Sequence, residues 1–439
     1  MAENTARAEE RVTALHALRT RKLWIPATVI LSGFSFLLSL VYMGAIVNPR
    51  EAMHELPIAV VNADQGASTS GTQLNLGERI VHSVTEVSDD KIAWTPLSEE
   101  QVREQMALGK LYGGLVIPEN FTTAVMSLNN PGTAAAVRPS LTVLTNPASG
   151  SLASSLAASV TEQAAHSASS ALSEELVSAN RQQSVQGRDL LLLQDPVSIH
   201  KETGYDLGDN SGLGMTAFFY VLLLVMCGFM GANVLTNFVD AGLGFIPSDF
   251  GPWRSHRPLL QIGRRHTLIT AWGLMVALAV PMASLVMIAC VTVLGMDASH
   301  LLMLWLFSYC AVVAVGLSCL TILSIFGTPG MLVATFVFIA LAIPSSNGTI
   351  PLEAVPPFYR FLATFEPMRQ LTDGIRAILY FDARADAGLA HAWMMVGIGA
   401  ATALALGYAV NRAYERKGWS RHSEKHTDMG KATNSVTTP

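Results

Sequence analysis

Four charged side chains recur at helical spacing towards the end of the chain and are the first candidates for chemistry. They are Glu366, Arg369, Asp373 and Arg376. Arg369 and Asp373 are four residues apart and can form an ion pair on one helix face. Another face carries an apolar stripe, made of Phe365, Met368, Leu371, Ile375, Ile378 and Leu379. The pattern predicts an amphipathic helix at the outer surface of a membrane. Such a helix serves either as an outer gate over a lateral lipid path or as an interfacial stabiliser, and periodicity does not separate the two.

A second group mixes large apolar side chains with arginine between residues 240 and 265. It comprises Phe245, Phe250, Trp253, Arg254 and Arg257. This mixture is typical of an interfacial helix or a docking surface. Composition alone favours a membrane-surface anchor over a coupling helix that contacts an ATPase.

Motifs for nucleotide, metal or acyl-transfer chemistry are absent from the sequence. It has no GxxxxGK[ST], HExxH or GxSxG pattern, and its histidines are scattered. The four cysteines all lie in apolar stretches, which predicts packing rather than disulfides or a metal site. They are Cys227, Cys290, Cys310 and Cys319. We therefore expect no enzymatic activity, no catalytic residue, no metal and no cofactor.

The elements that position these groups follow from the distribution of charge. The 439 residues include 28 Lys or Arg and 33 Asp or Glu, and the mean hydropathy is +0.37. Five stretches carry no charge: 23–49, 210–239, 266–296, 298–352 and 387–411. About 20 apolar residues cross a bilayer, so four stretches supply one span each. The stretch 298–352 supplies two, because Gly327-Thr328-Pro329-Gly330 breaks it. This composition excludes a soluble enzyme, a nucleic-acid binder and a disordered chain.

The predicted fold is a polytopic α-helical membrane protein with six transmembrane helices and an extracytoplasmic α/β domain between spans 1 and 2. The predicted spans are 23–47, 213–236, 267–294, 301–325, 331–343 and 390–410, the last five within a membrane domain of 212–411. The N-tail 1–22, the loop 240–265 and the tail 412–439 together hold 15 basic and 8 acidic residues, against 13 basic and 25 acidic elsewhere. The positive-inside rule therefore puts both termini in the cytoplasm of a multi-pass plasma-membrane protein. The tail 412–439 is expected to be disordered.

Charge-free spans also bear on the energy source. A proton-driven transporter usually needs an ionisable residue within the membrane, and these stretches contain no Asp, Glu, Lys or Arg. Proton coupling is therefore disfavoured, and a separate ATPase subunit is the natural source of energy. The fifth span is short before Pro344, which is tolerated only where protein or a water-filled cavity covers the backbone.

The outside segment 48–211 is predicted to be a mixed α/β domain. It contains 9 basic and 19 acidic residues, unlike a surface for phosphate or anionic lipid. Strands are expected at 56–62, 91–95, 112–117, 140–145 and 197–201. Ser98 and Gln101 form a capping box at the start of a helix. From Ala148 an Ala/Ser-rich segment predicts a long helix reaching towards residue 193, with a mobile low-complexity linker as the alternative.

Three segments of the chain resemble the YhgE/Pip family of bacterial membrane proteins, which is related to ABC-2-type exporter permeases and to the yeast nitrosoguanidine-resistance protein. They are Leu56-Pro-Ile-Ala-Val-Val-Asn-Ala-Asp-Gln-Gly66, Gly109-Lys-Leu-Tyr-Gly-Gly-Leu-Val-Ile-Pro-Glu-Asn-Phe121 and Phe365-Glu-Pro-Met-Arg-Gln-Leu-Thr-Asp-Gly-Ile-Arg-Ala-Ile-Leu-Tyr380. The resemblance implies a homodimeric, export-related permease that works with a separate nucleotide-binding subunit. It raises the coupling interpretation of the loop 240–265 above the anchor.

Two functions are expected from these observations. The first is an ABC-2-type permease that exports a lipid or an amphipathic toxic compound, with membrane lipid and an ATPase subunit as partners and without nucleic acid. The alternative is a membrane-anchored scaffold or surface receptor, a secretion accessory or phage-receptor-like protein, that acts through its extracytoplasmic domain.

Overall fold

The computed structural model describes residues 21–69, 72–86, 90–128, 137–179, 194–250, 252–255 and 257–419. Most of the predicted N-tail, the continuation of the Ala/Ser-rich helix over 180–193 and the tail beyond residue 419 lie outside these ranges. The first helix, α1, is Arg21–Ile46.

An α/β unit follows α1 and is built on a five-stranded mixed sheet. Its strands are β1 Leu56–Asn62, then, after the small hairpin β2 Ala67–Thr69 and β3 Thr72–Leu74, β4 Ile92–Pro96, β5 Gly113–Ile117, β6 Ser140–Thr145 and β7 Ser198–Thr203. The spatial order is β4-β1-β5-β6-β7. Strand β1 runs parallel to β4 and β5, β6 runs antiparallel to β5, and β7 runs parallel to β6. Strands β1 and β5 are almost wholly buried, which explains why they are continuous apolar runs in the sequence.

Four helices complete the α/β unit. They are α2 Leu76–Glu86, α3 Glu99–Ala107, α4 Phe121–Leu128 and α5 Ser151–Ala179. The predicted capping box at Ser98 and Gln101 is confirmed at the start of α3. The Ala/Ser-rich segment is helical over its described residues, so the helix interpretation is confirmed there and the linker alternative is wrong. Small side chains let α5 approach the sheet closely, because a Cβ atom at Gly113 would lie 3.1 Å from Cβ of Ala157.

One buried carboxylate holds two of these helices on the sheet. Asp64 follows β1 and is 7% exposed. It accepts hydrogen bonds from the backbone N–H groups of Gly77 and Thr122, each over 3.0 Å, and from the Thr122 hydroxyl. Gly77 and Thr122 lie in the first turns of α2 and α4, where amides lack intrahelical partners and an anion is favourable. The segment Leu56–Gly66, which resembles the YhgE/Pip family, therefore contains a residue that the fold of the α/β unit requires.

The described residues after β7 are mainly helical, apart from the short strands Ser248–Phe250 and Trp253–Ser255. The helices are α6 Thr216–Gly242, α7 Arg264–Met287 with a π-helical continuation Ile288–Val293, α8 Leu301–Phe326, α9 Gly330–Thr335, α10 Ala342–Ser345, α11 Pro357–Ala363, α12 Pro367–Tyr380 and α13 Leu389–Arg416. Among the described residues, five helices are long and apolar enough to cross a membrane: Thr28–Ile46, Thr216–Gly242, Arg264–Val293, Leu301–Phe326 and Leu389–Arg416. The architecture is that of a multi-pass helical membrane protein, with α8 packed against α6, α7 and α13.

The predicted fifth span corresponds to a shorter, interrupted helix. Helix α8 ends at Phe326, Gly327 adopts φ +65°, and α9 begins at Gly330, so the helix breaks where the Gly-Thr-Pro-Gly sequence predicts it. From there α9, a π-helical turn Phe336–Ala340 and α10 form the apolar stretch Gly330–Ser345. It is shorter than the five long helices, and a count of six spans stays a prediction.

Candidate functional site between the α/β unit and the helices

Helix α12, which carries the charged residues singled out in the sequence, is enclosed by other helices. Ten of its 14 residues are buried, and it packs against α6, α8 and α13. A Cβ atom at Gly374 would lie 2.8 Å from Cβ of Ala392 and would collide with the ring of Phe307. The predicted helix is therefore confirmed, its position at the outer membrane surface stays a prediction, and two of its charged residues, Glu366 and Arg376, are buried.

The charged residues of α12 are buried (Glu366, Arg376) or partly buried (Arg369, Asp373), and each makes a polar contact. Glu366 is 3% exposed, and its Oε2 caps the helix by accepting from the backbone N–H of Arg369 over 3.0 Å. Arg369 and Asp373 form the predicted ion pair, with Nε and Oδ2 3.6 Å apart. Arg376 is 4% exposed and donates to the carbonyl of Gly348 over 3.3 Å. These bonds make it possible to bury charged groups that water would otherwise solvate.

A direct hydrogen bond joins the α/β unit to the segment between α10 and α12. The Tyr112 hydroxyl donates to Oε2 of Glu353 over 2.9 Å, and the backbone N–H of His54 donates to the Glu353 carbonyl over 2.7 Å. Burial raises the pKa of the Glu353 carboxyl. Burial, with the neighbouring Glu353, raises the pKa of Tyr112 well above its ordinary value. Tyr112 is therefore a neutral donor throughout the physiological pH range.

A polar pocket of about 340 Å³ lies at this junction. Its lining includes Lys110, Tyr112, Glu353, Asp373, Arg376 and Asp386. Charges of both signs face one another across it, from the α/β unit on one side and from the helices on the other. The pocket therefore brings charged side chains of the α/β unit and of the helices close together.

The segment Gly109–Phe121, one of the three that resemble the YhgE/Pip family, lies against the end of α12. Gly109 adopts φ +66°, and a Cβ atom there would lie 2.8 Å from the ring of Phe381. Lys110 and Tyr112 of the same motif line the junction pocket. Sequence reasoning selected the motif without assigning a role to Tyr112 or Glu353. The available signals were the tyrosine within the motif and the position of Glu353 directly after a charge-free stretch.

An apolar cavity of about 390 Å³ lies among α8, α12, α13 and the π-helical turn Phe336–Ala340, and it is partly open, since Phe365 and Leu406 are each 53% exposed. Its walls include Val315, Ile322, Phe338, Phe365, Val396 and Leu406. Gln370 of α12 also lines it and is 3% exposed. The Gln370 Nε2 donates to the carbonyls of Ala363 and Thr364 over 3.2 and 3.4 Å, whereas Oε1 has no hydrogen-bond partner among the described residues. The cavity is thus lined mainly by apolar side chains, and the unpartnered Oε1 of Gln370 is itself fully buried rather than open to it.

The second predicted group is far from this junction in the chain and forms a hairpin. Strand β8, Ser248–Phe250, pairs antiparallel with β9, Trp253–Ser255. The helical form expected for this loop is wrong, because Gly251-Pro252 favours a turn at its centre. Trp253 is 78% exposed at the hairpin, and Phe245, Arg254 and Arg257 flank or belong to it.

The hairpin leads into a helix that is tied to α13. At the start of α7, the Arg265 guanidinium forms an ion pair with Glu415, and the Arg265 backbone N–H donates to Glu415 Oε1 over 2.9 Å. Arg264 stacks over the Tyr414 ring at 5.4 Å. Any displacement of the hairpin and α7 therefore acts on the end of α13.

A groove of about 540 Å³ lies within the α/β unit, between α5, α2 and β4. Trp94, Val84 and Leu156 supply apolar surface, and Arg50 and Lys91 supply positive charge. The Arg50 guanidinium also contacts the Ser159 hydroxyl at 3.4 Å. The α/β unit thus offers a surface of its own, separate from the junction.

Comparison with known proteins places the chain in a family but gives it no named relative. No curated protein and no solved structure matches it. A family model described as a protein of unknown function, DUF3533, matches residues 27–399. That match covers the first long helix, the α/β unit, the junction and most of the remaining helices, so the chain belongs to the DUF3533 family.

Proposed function

We propose that the chain is the permease of an ABC-2-type exporter that moves a lipid or an amphipathic toxic compound across the plasma membrane. In this proposal the stretch Gly330–Ser345 is the fifth of six spans, both termini are cytoplasmic, and the α/β unit lies outside. The permease works as a homodimer with a separate ATPase subunit, in keeping with the resemblance to the YhgE/Pip family.

One observation carries the proposal: α12 enters the space between the long helices and leaves the 390 Å³ cavity beside it. Gln370, Thr321 and Thr402 line it among the apolar side chains. A path for an amphipathic molecule needs apolar walls together with a few placed polar groups. Since α12 also contacts the junction with the α/β unit, its movement would open the path towards the outside.

The hairpin supplies the surface for a partner. Trp253 is exposed and Arg254 and Arg257 accompany it, and aromatic residues with arginine are enriched at protein interfaces. The ion pair between Arg265 and Glu415 connects this surface to α13, which forms a wall of the cavity. An ATPase bound at the hairpin would therefore act on the cavity through α7 and α13.

Photocrosslinking tests the ATP-coupled proposal directly. A photoreactive amino acid at Trp253, under native expression, should capture an ATPase subunit identifiable by mass spectrometry. The same group at exposed Glu100 of α3 is the matched control and should not capture it. Absence of an ATPase from the Trp253 adducts would remove the coupled mechanism.

The alternative function, a scaffold or surface receptor, is favoured by the 540 Å³ groove of the α/β unit. Removal of residues 56–200 separates the two functions. The exporter requires that loss of the whole protein raises accumulation of the exported compound in cells. The receptor would be favoured by two results together. Accumulation of the compound would be unchanged by loss of the whole protein and by the deletion, and the deletion would abolish partner binding.

A further inference from the structure

We propose that the 340 Å³ junction pocket binds a phosphate group flanked by hydrogen-bond donors, through Arg376 and the N-terminus of α13. The phosphate belongs to a free polyol phosphate or to the head group of a lipid. This inference goes beyond the proposed export function, because binding at the pocket requires neither transport nor an ATPase. Three features of the pocket support it: a buried guanidinium without an ion pair, a helix N-terminus without a side-chain cap, and the charge balance of the lining.

Arg376 is a buried cation that lacks a carboxylate of its own. It lines the pocket and is 4% exposed. Its Nη2 donates to the Gly348 carbonyl over 3.3 Å, and its Nε has no hydrogen-bond partner in the described part of the chain. Asp373 lies near Arg376 but forms its ion pair with Arg369, so one carboxylate serves two guanidinium groups. Because burial of an uncompensated cation is costly, an anion in the pocket would stabilise Arg376.

The N-terminus of α13 opens on the same pocket. Helix α13 begins at Leu389 after Gly388, which adopts φ +101°, and no side chain caps this end. Gly388 and the preceding Ala387 both line the pocket. The first amides of a helix have no intrahelical acceptor, and the helix dipole favours an anion there. Phosphate groups bind at such ends, so α13 adds a second attraction for the anion that Arg376 requires.

The charge balance of the lining has the same sign. Each carboxylate that lines the pocket already has a donor. The pairs are Glu353 with Tyr112, Asp373 with Arg369 and Asp386 with Arg384. Lys110 also lines the pocket and is exposed, and like Arg376 it forms no ion pair among the described residues. The unmatched charge of the lining is therefore positive and attracts an anion.

The rest of the lining determines what accompanies the phosphate. A volume of 340 Å³ is that of a small-molecule site and is larger than a bare ion needs. Glu353 and Asp386 would repel a second anionic group, whereas they can accept hydrogen bonds from hydroxyl or ammonium groups. Glycerol phosphate, either free or as the head group of a phospholipid, combines one phosphate with such donors.

Hydrogen exchange of the full-length protein tests the site without transport. The protein is purified in a maltoside detergent and a phosphate-free buffer, and glycerol phosphate or phosphatidylglycerol is added at about ten times its dissociation constant. Exchange of the first amides of α13 should then slow about tenfold. Protection by glycerol phosphate identifies a free ester as the source, and protection by phosphatidylglycerol alone identifies a lipid head. No protection by either, or equal protection by glycerol or a monoacylglycerol, would overturn the proposal.

Substitutions at exposed positions make the test independent of folding. Lys110→Glu should weaken binding of glycerol phosphate about fivefold. Lys201→Glu makes the same charge change at an exposed lysine that does not line the pocket, and it should bind as the native protein does. Asp386→Asn removes a negative charge from the lining and should strengthen binding about threefold, which misfolding cannot produce. Equal binding in the two lysine variants, or weaker binding in Asp386→Asn, would contradict the site.

Arg376 itself gives the most direct variant. Arg376→Gln should abolish protection of the α13 amides, and Arg376→Lys, which retains the charge but loses the planar fork, should weaken it less. Native binding by an Arg376→Gln protein that unfolds at the native temperature would overturn the proposal. If Arg376→Gln does not fold, the variants of Lys110 and Asp386 decide the question.

Discussion

Tyr112 of the α/β unit and Glu353 of the helical part are joined by a part-buried hydrogen bond of 2.9 Å between the hydroxyl and the carboxyl Oε2. They are 241 residues apart in the chain, so this bond fixes the unit to the helices across two separate regions of sequence. Both groups line the polar junction pocket with Asp373 and Arg376 of α12. The contact thus connects the segment Gly109–Phe121 to the region of α12, the helix that also borders the apolar 390 Å³ cavity.

Removal of either partner should weaken the junction. Tyr112→Phe leaves Glu353 without its side-chain donor, and we expect a loss of about 1–3 kcal/mol in the free energy of unfolding, as for other buried hydrogen bonds to carboxyl groups. Thermal unfolding of the detergent-solubilised protein measures it. Hydrogen exchange of the β5 backbone amides, which follow Tyr112 directly, should rise in Tyr112→Phe. Tyr309→Phe removes a hydroxyl that bonds within the helices, to the Val276 carbonyl at 3.3 Å, and should leave this exchange unchanged. Equal exchange of β5 in both variants would contradict a role at the junction.

The stability of the protein should depend on the protonation of Glu353. Burial raises the pKa of this carboxyl above its ordinary value of about 4.5, so the folded protein holds a proton that the unfolded chain releases. This contribution is fully present below pH 4.5 and is lost as pH rises through the raised native pKa. The unfolding temperature should fall over that interval, and Glu353→Gln should flatten the fall. The exposed Glu99→Gln control should keep the native profile, and an unchanged profile in Glu353→Gln would contradict the prediction.

Asp64 should be essential for the α/β unit. Asp64→Ala leaves the backbone N–H groups of Gly66, Gly77 and Thr122 and the Thr122 hydroxyl without their acceptor, which predicts a loss of about 3 kcal/mol. Hydrogen exchange should rise in the first turns of α2 and α4. Asp64→Asn retains one oxygen acceptor and should be milder, and the exposed Asp206→Ala should be neutral. Unchanged exchange at Gly77 and Thr122 in Asp64→Ala would show that the cap contributes little.

The sequence predicts those parts of the fold that local chemistry determines. Charge-free stretches mark the five long helices, and the Gly-Thr-Pro-Gly sequence marks the break after Phe326. Five apolar runs mark the strands of the sheet. Ser98 and Gln101 mark the start of α3, because a capping box depends on residues within one turn.

Contacts between residues that are far apart in the chain could not be predicted from local sequence patterns. The amphipathic pattern of α12 predicts a helix with an exposed face, but the structure buries Gln370 and Arg376 by giving them backbone carbonyls of other segments. The charge-free stretches contain no Asp, Glu, Lys or Arg. Glu366, which lies between two of them in sequence, is nevertheless 3% exposed in the folded protein. The hydrogen bond between Tyr112 and Glu353, 241 residues apart, likewise has no signature in the sequence around either residue.

The close packing of α12 should make Gly374 intolerant of a side chain. Gly374→Ala places a methyl group 2.8 Å from Cβ of Ala392 and against the Phe307 ring, and overpacking of this kind costs about 1–3 kcal/mol. Thermal unfolding in detergent measures the cost. Gly397→Ala, where a Cβ meets nothing within 4 Å, is the control and should be stable. If Gly374→Ala unfolds at the native temperature, α12 is not enclosed between α8 and α13.

The orientation of the chain can be tested with single cysteines. Lys and Arg cluster at the end of the long helices that contains Arg265 and Arg416, whereas the α/β unit follows the other end of α1, so the positive-inside rule predicts that the unit lies outside. In a background with the four native cysteines replaced, Glu100→Cys should react with a membrane-impermeant maleimide in intact cells. Arg416→Cys, which is also exposed, should react only after permeabilisation. The reverse pattern would put the Trp253 hairpin outside, beyond the reach of any cytoplasmic ATPase, and would remove the proposed coupling.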